Sequence, residues 1–198
     1  MTGDLQPAGN SHQHVVVMGV AGCGKSTVGQ ALAERIGAAF IDGDSLHPSS
    51  NIAKMSSGIP LNDADRTPWL QEIGRRFMEA SASDLVIACS ALKYSYRQII
   101  REQDPSVLFV HLDGSRDLLF ERMKSRPGHF MPPALLDSQL ATLEPLRAGE
   151  RGLVVDIALE VPAIVDSVLE WLESGALESR AERAVFAEAV RQQPFHGP

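Results

Sequence analysis

Gly19, Gly24, Lys25 and Ser26, within the segment GVAGCGKST, satisfy the pattern GxxxxGK[ST]. The chemistry served by this spacing is phosphate binding. Glycines let backbone N–H groups converge on anionic oxygens, the start of a helix adds the positive end of its dipole, a lysine reaches the β- and γ-oxygens, and a hydroxyl ligates magnesium. The apolar run HVVVMG precedes the loop and the helical pattern KSTVGQALAERI follows it. That context makes the motif specific for a nucleotide. Ala21, Gly22, Cys23 and Thr27 belong to the same loop and count with it as nucleotide-binding residues.

A second pair of chemically capable residues lies in DGDSLHP, directly after the apolar run AAFID. A carboxylate at the carboxyl end of a parallel strand emerges beside the phosphate loop. Asp42 is placed to fix water ligands of magnesium, and Asp44 to accept the proton of an attacking hydroxyl; Asp, Gly and Ser also make ordinary turns. His47 and Lys54 lie slightly beyond. GTPases and many ATPases instead carry an Asp at the end of an apolar strand. Here the third run ends VIACSALK, with Cys89, Ser90 and Lys93 at that place and Asp84 at its beginning. NIAK lacks the adjacent Lys and the Asp of a guanine-reading NKxD. The pattern therefore points away from a GTPase switch and toward a small-molecule kinase.

The elements that must position these residues alternate. Apolar runs at 14–19, 38–42, 84–90, 106–113 and 152–157 have the β-branched character of buried parallel strands. Helical patterns fall at 25–36, 66–80, 93–102, 115–126, 132–142 and 161–173. Alternation of this kind predicts an α/β fold, a parallel sheet covered by helices on both faces. Residues 1–13 read as a flexible leader and 175–198 as a helical tail, leaving one domain over 14–174. A formal net charge of -7 argues against a nucleic-acid surface. VVVMGV is too short to span a bilayer and the leader has no Lys or Arg for a signal peptide, so a cytoplasmic protein is expected. Two cysteines without CxxC spacing, Cys23 and Cys89, indicate neither disulfides nor a zinc cluster.

The blocks MGVAGCGKST, DGDSLHP, NIAKMSSGIPLNDADRTPWL, CSALKYSYR, RPGHFMPPALLDSQLATLE and VVDI, in this order over residues 14–172, resemble the gluconokinases of the shikimate-kinase-like group of P-loop kinases. The resemblance implies a three-layer fold with a five-stranded sheet in the order 2-3-1-4-5, an acceptor-binding insert at about 44–80 and a lid at about 122–140. It also implies transfer of the ATP γ-phosphate, with Mg2+, to the 6-hydroxyl of D-gluconate, giving 6-phosphogluconate for sugar-acid catabolism, by a homodimeric enzyme. Gluconate is an anionic polyol, so its site needs cations for the carboxylate and polar side chains for the hydroxyls. Lys54, Arg66, Lys93, Tyr96, Arg97, His129 and Gln139 offer such groups in the matching segments. Arg66 ranks first, because a guanidinium pairs bidentately and Asp63 and Asp65 flank it. Lys93 and Arg97 stand four apart, as on one helical face. Trp69 reads as core packing.

Arg122 and Arg126 are also four apart and share a helical face ahead of Pro127. Residues 114–131 carry four basic and two acidic side chains, a positive segment in an acidic chain. Such a lid excludes water and stabilises charge on a transferring phosphoryl group. By the resemblance Arg122 goes to the nucleotide and Arg126 to the phosphates as a catalytic residue beside Lys25 and Asp44; Asp156, in VVDIAL, lies near the adenine, and His129 covers the acceptor. A nucleotide-binding regulator without transfer activity would not need Lys25, Ser26, Asp44 and Arg126 together.

Overall fold

The structure is a computed structural model and describes residues 12–124 and 133–175. The predicted leader up to residue 11, the lid segment 125–132 and the tail beyond 175 lie outside the described residues, and with them Arg126 and His129.

HVVVM forms β1 (His14–Met18), buried at every position, as a central strand with a layer on each face must be. The chain then runs through the phosphate loop into α1 (Lys25–Ile36), which stops at Gly37, whose N–H donates to the Ala33 carbonyl. β2 (Ala39–Asp42) leads to a 3-10 turn (Gly43–Leu46), α2 (Ser49–Ser56) and α3 (Asp63–Glu79). β3 (Leu85–Ala88), α4 (Tyr94–Gln103), β4 (Leu108–Asp113), α5 (Arg116–Lys124), α6 (Pro133–Thr142) and β5 (Gly152–Asp156) follow, and α7 covers 161–175.

All strand pairs are parallel, in the order β2-β3-β1-β4-β5, with Val16 opposite Ile87 on one side and Phe109 on the other. Alternate residues divide the core into two layers. Val15, Val17 and Val110 meet Leu32 of α1, Leu119 of α5 and Val165 of α7; Val16, Ile87 and Phe109 meet Ile73 and Phe77 of α3 and Ile100 of α4. Each such fully buried side chain is worth about 1.5–3 kcal/mol of transfer free energy.

The stretch between β2 and β3 is more regular than its Gly, Ser and Asn content suggests. α3 begins at Asp63 rather than at the predicted 66, because Asn62 and Asp65 form a capping box: Asp65 N–H donates to Asn62 Oδ1 at 2.9 Å and Asn62 N–H to Asp65 Oδ2 at 3.0 Å.

Candidate active site

The phosphate loop leaves the carboxyl end of β1, where a doubly wound sheet changes direction and opens a crevice. Gly24 caps α1 with φ of 95°, a left-handed conformation a side chain would strain. Lys25 is folded back, its Nζ donating to the Val20 carbonyl at 3.0 Å. Ser26 Oγ donates to Asp42 Oδ2 at 2.8 Å, while Asp42 Oδ1 accepts from Asp44 N–H at 3.1 Å. Hydroxyl and carboxylate are hard oxygen donors of the kind that suits magnesium shared with substrate phosphates. Among the described residues no group of three His, Cys, Asp or Glu side chains is placed to hold a metal. Thr27 is exposed on the first turn of α1. Both cysteines are buried; burial pushes the Cys23 thiol up and the Cys89 thiol to about 12, so neither is a reactive thiolate.

Beyond β2 the chain passes tightly over the end of β3. A Cβ on Gly43 would sit 2.5 Å from the Ala88 carbonyl oxygen, so only glycine lets the turn that carries Asp44 lie there. The turn is tied to α3 by Trp69, whose buried indole Nε1 donates to the Gly43 carbonyl at 2.7 Å. Asp44 is exposed, and its carboxylate makes no hydrogen bond among the described residues. His47 stacks on Trp69, ring centroids 4.1 Å apart. Trp69 is thus a packing residue, as its sequence context suggests, that also supports a polar one.

The candidate acceptor cations gather at the amino-terminal turn of α3. Lys54 Nζ lies 2.6 Å from Asp65 Oδ1, and Lys93 Nζ 2.9 and 2.8 Å from the two Asp63 oxygens. Tyr96 Oη donates to Asp63 Oδ1 at 2.5 Å. Arg66 donates to the Leu61 carbonyl and lies over the Tyr96 ring, 5.9 Å from its centroid. The expectation that Asp63 and Asp65 would hold Arg66 is therefore corrected: each carboxylate is hydrogen-bonded to a lysine, leaving Arg66 on a carbonyl and an aromatic face. Lys93 and then Tyr96 hold the Asp63 carboxyl below its ordinary value, and Lys54 does the same for Asp65.

Arg97 is a second correction. It does not share an open face with Lys93, which caps α4 rather than lying within it. Its side chain is fully buried, with Nε and Nη2 each 2.8 Å from an oxygen of the buried Glu150. The remaining donors reach the carbonyls of Ala91, Leu92, Glu144 and Pro145 at 3.1–3.4 Å. A guanidinium so fully engaged has nothing to offer a substrate; it ties the turn after β3 to the chain after α6. Gln139 Oε1 accepts from the phosphate-loop Ala21 N–H at 2.7 Å. Arg122 Nη2 donates to the Ile157 carbonyl at 2.6 Å, just past β5, and Asp156 Oδ1 accepts from Ala158 N–H at 2.8 Å in the turn there.

Asn51 was not singled out by the sequence. It is 2% exposed and bridges α2 to α3, its Nδ2 lying 2.8 Å from the Asp65 carbonyl and 3.2 Å from His47 Nδ1. An asparagine in a Ser- and Asn-rich stretch carries no local mark of burial.

A phosphate loop on the central strand, with a separate insert bearing lysine and arginine side chains at the same edge of the sheet, belongs to the P-loop kinases of small molecules. Residues 21–172 match the family model described as Shikimate kinase. The thermoresistant gluconokinase of Escherichia coli (strain K12) is 42% identical over 174 residues, 86% of this chain and 99% of that protein. The gluconokinase of Gluconobacter oxydans (strain 621H) is 49% identical over 146 residues, 73% and 82% of the two chains. The crystal structure of a gluconokinase from Sinorhizobium meliloti 1021 superposes with a TM-score of 0.79 at 49% identity, covering 87% of this chain and 98% of that one. The chain belongs to the gluconokinase family, as a phosphotransferase of the shikimate-kinase-like fold.

Proposed function

We propose that this enzyme transfers the γ-phosphoryl group of ATP to the 6-hydroxyl of D-gluconate. The observation that carries the choice of acceptor is the gathering of Lys54, Arg66 and Lys93 around the amino-terminal turn of α3, on the same edge as Asp44. The names of the relatives agree with it. An anionic polyol suits that turn: the cations meet its carboxylate, while His47, Asp63 and Tyr96 meet its hydroxyls. Asp44 takes the proton of the attacking hydroxyl, which leaves the oxygen free to bond phosphorus as the bond to ADP breaks. Lys25 swings from the Val20 carbonyl to the transferring phosphate, and Arg126 adds a second positive charge. Arg122 and the chain around Asp156 face the nucleotide base, and His129 covers the acceptor.

Ser26 and, through water, Asp42 hold magnesium, which when bound neutralises phosphate oxygens. Among the described residues no helix is long and apolar enough to cross a membrane. The reading extends to a cytoplasmic location, a homodimer and a single domain over 14–174; its support there is the resemblance to gluconokinases. The test is ADP release with ATP and magnesium against gluconate, shikimate, glycerate, other sugar acids and water. Gluconate should dominate; a different acid turning over faster would overturn the acceptor, and ATP binding without turnover would favour a regulator.

A further inference from the structure

His47 is held on three sides. Its ring plane rests on Trp69, interplanar angle 18°. Trp69 is in turn fixed to the Gly43 carbonyl. The third restraint is Asn51, and here the chemistry of the partners decides the protonation. The Asp65 carbonyl only accepts, so the Asn51 atom 2.8 Å from it is the amide nitrogen. That nitrogen has one more hydrogen, and it points at His47 Nδ1, 3.2 Å away. A ring nitrogen facing a donor must accept. The ring proton therefore sits on Nε2, which has no partner among the described residues and is not a buried orphan.

We propose that Asn51 is a positioning residue that holds His47 as the neutral Nε2–H tautomer, a donor to an acceptor hydroxyl beside Asp44. This rests on the gluconate reading and deepens it: the imidazole recognises a sugar hydroxyl oxygen, and leaves the carboxylate to Arg66 and the lysines. Were Nδ1 protonated, two donors would oppose each other, and Asn51 could accept only by turning its amide and giving up the Asp65 carbonyl. Two charged groups act on the ring, Asp44 on its own turn and Arg66 on α3, while Lys54 of α2 and the Asp65 carboxylate of α3 pair with each other. Burial holds the imidazole below its ordinary value; Asp44 pulls the other way and Arg66 adds to the depression.

Two measurements test this. Long-range 1H–15N spectra of the unaltered protein at neutral pH should show His47 as Nε2–H; an Nδ1–H tautomer or an imidazolium would overturn the assignment without reference to any substrate. In Asn51→Asp a carboxylate faces Nδ1 and accepts its proton, so the neutral ring keeps no Nε2–H and only the imidazolium still donates; the limb on which kcat/KM for gluconate falls with rising pH should move down by at least about one pH unit. A limb unmoved in a folded Asn51→Asp enzyme would overturn the positioning role. Loss of gluconate turnover in the unaltered enzyme would instead overturn the functional reading on which the role depends.

Discussion

Ser26 and Asp42 stand 2.8 Å apart, hydroxyl to carboxylate, and join the first turn of α1 to the end of β2 across the top of β3. These are two hard oxygen groups side by side, of the kind that would serve a magnesium–phosphate unit. If Asp42 acts by orienting the water ligands of that ion, Asp42→Asn should raise the Mg2+ concentration for half-maximal turnover about tenfold, the usual cost of losing an outer-shell partner. A magnesium titration at saturating ATP checks this; an unchanged midpoint would confine Asp42 to holding the Asp44 turn.

The Asp44 carboxylate, unlike that of Asp42, accepts no hydrogen bond among the described residues. Such a carboxylate is available to take a proton. Asp44→Asn should lower kcat by at least about a hundredfold, the scale of general-base catalysis, with the fold unchanged. Near-normal kcat would return Asp44 to a structural part in the 3-10 turn.

Arg66 is half-buried and its guanidinium has a carbonyl and an aromatic face but no hydrogen-bonded carboxylate. Arg66→Ala should mainly raise the KM for gluconate, by a loss of about 2 kcal/mol or roughly thirtyfold. If KM holds and Lys93→Ala raises it instead, the substrate carboxylate displaces Asp63 from Lys93.

Arg97 and Glu150 form the most deeply buried ion pair described, at 0% and 3% exposure. Removing one partner strands the other, so Arg97→Met should cost about 3–5 kcal/mol by urea unfolding. The same pair gives an acid signature. Burial raises the Glu150 carboxyl, but hydrogen bonds from Arg97 and the Arg147 backbone, with Arg101 nearby, outweigh it and hold it below its ordinary value. A carboxyl depressed in the folded state contributes stability above its unfolded value, near pH 4.5, and loses it as the pH falls through the folded value. Glu150→Gln should therefore flatten the fall in stability below about pH 4.5; an identical acid limb would show that other carboxylates govern it.

Features written in neighbouring residues were legible in the sequence. The phosphate loop declares itself because all of its work is done by nine consecutive residues. β1, α1 and α4 fall within about one residue of their predicted bounds, since apolar period and breakers suffice to mark them. The strand order came from family resemblance, because pairing between β1 and β3 leaves no trace in local composition. α2 was hidden by its Ser- and Asn-rich makeup, and the start of α3 by Pro68, a residue usually taken as a helix start but here in the second turn. Arg97 misled because its partner is 53 residues away. The bond from Ala21 to Gln139 was equally invisible, its partners being 118 residues apart. Charged and amide side chains announce that they will bond, and only the fold decides to what.

The strand order has a kinetic consequence. β2 and β3 lie on one flank of β1, β4 and β5 on the other. Asp44, Lys54, Arg66 and Lys93 hang from the first flank, and Arg122 with the Ile157 carbonyl from the second. On the proposed site the two substrates would approach the phosphate loop from opposite sides, neither standing in the other's path. Order of arrival would then be free, both would have to be present at once, the phosphoryl group would pass directly between them with inversion at phosphorus, and initial-rate lines for the two substrates would intersect.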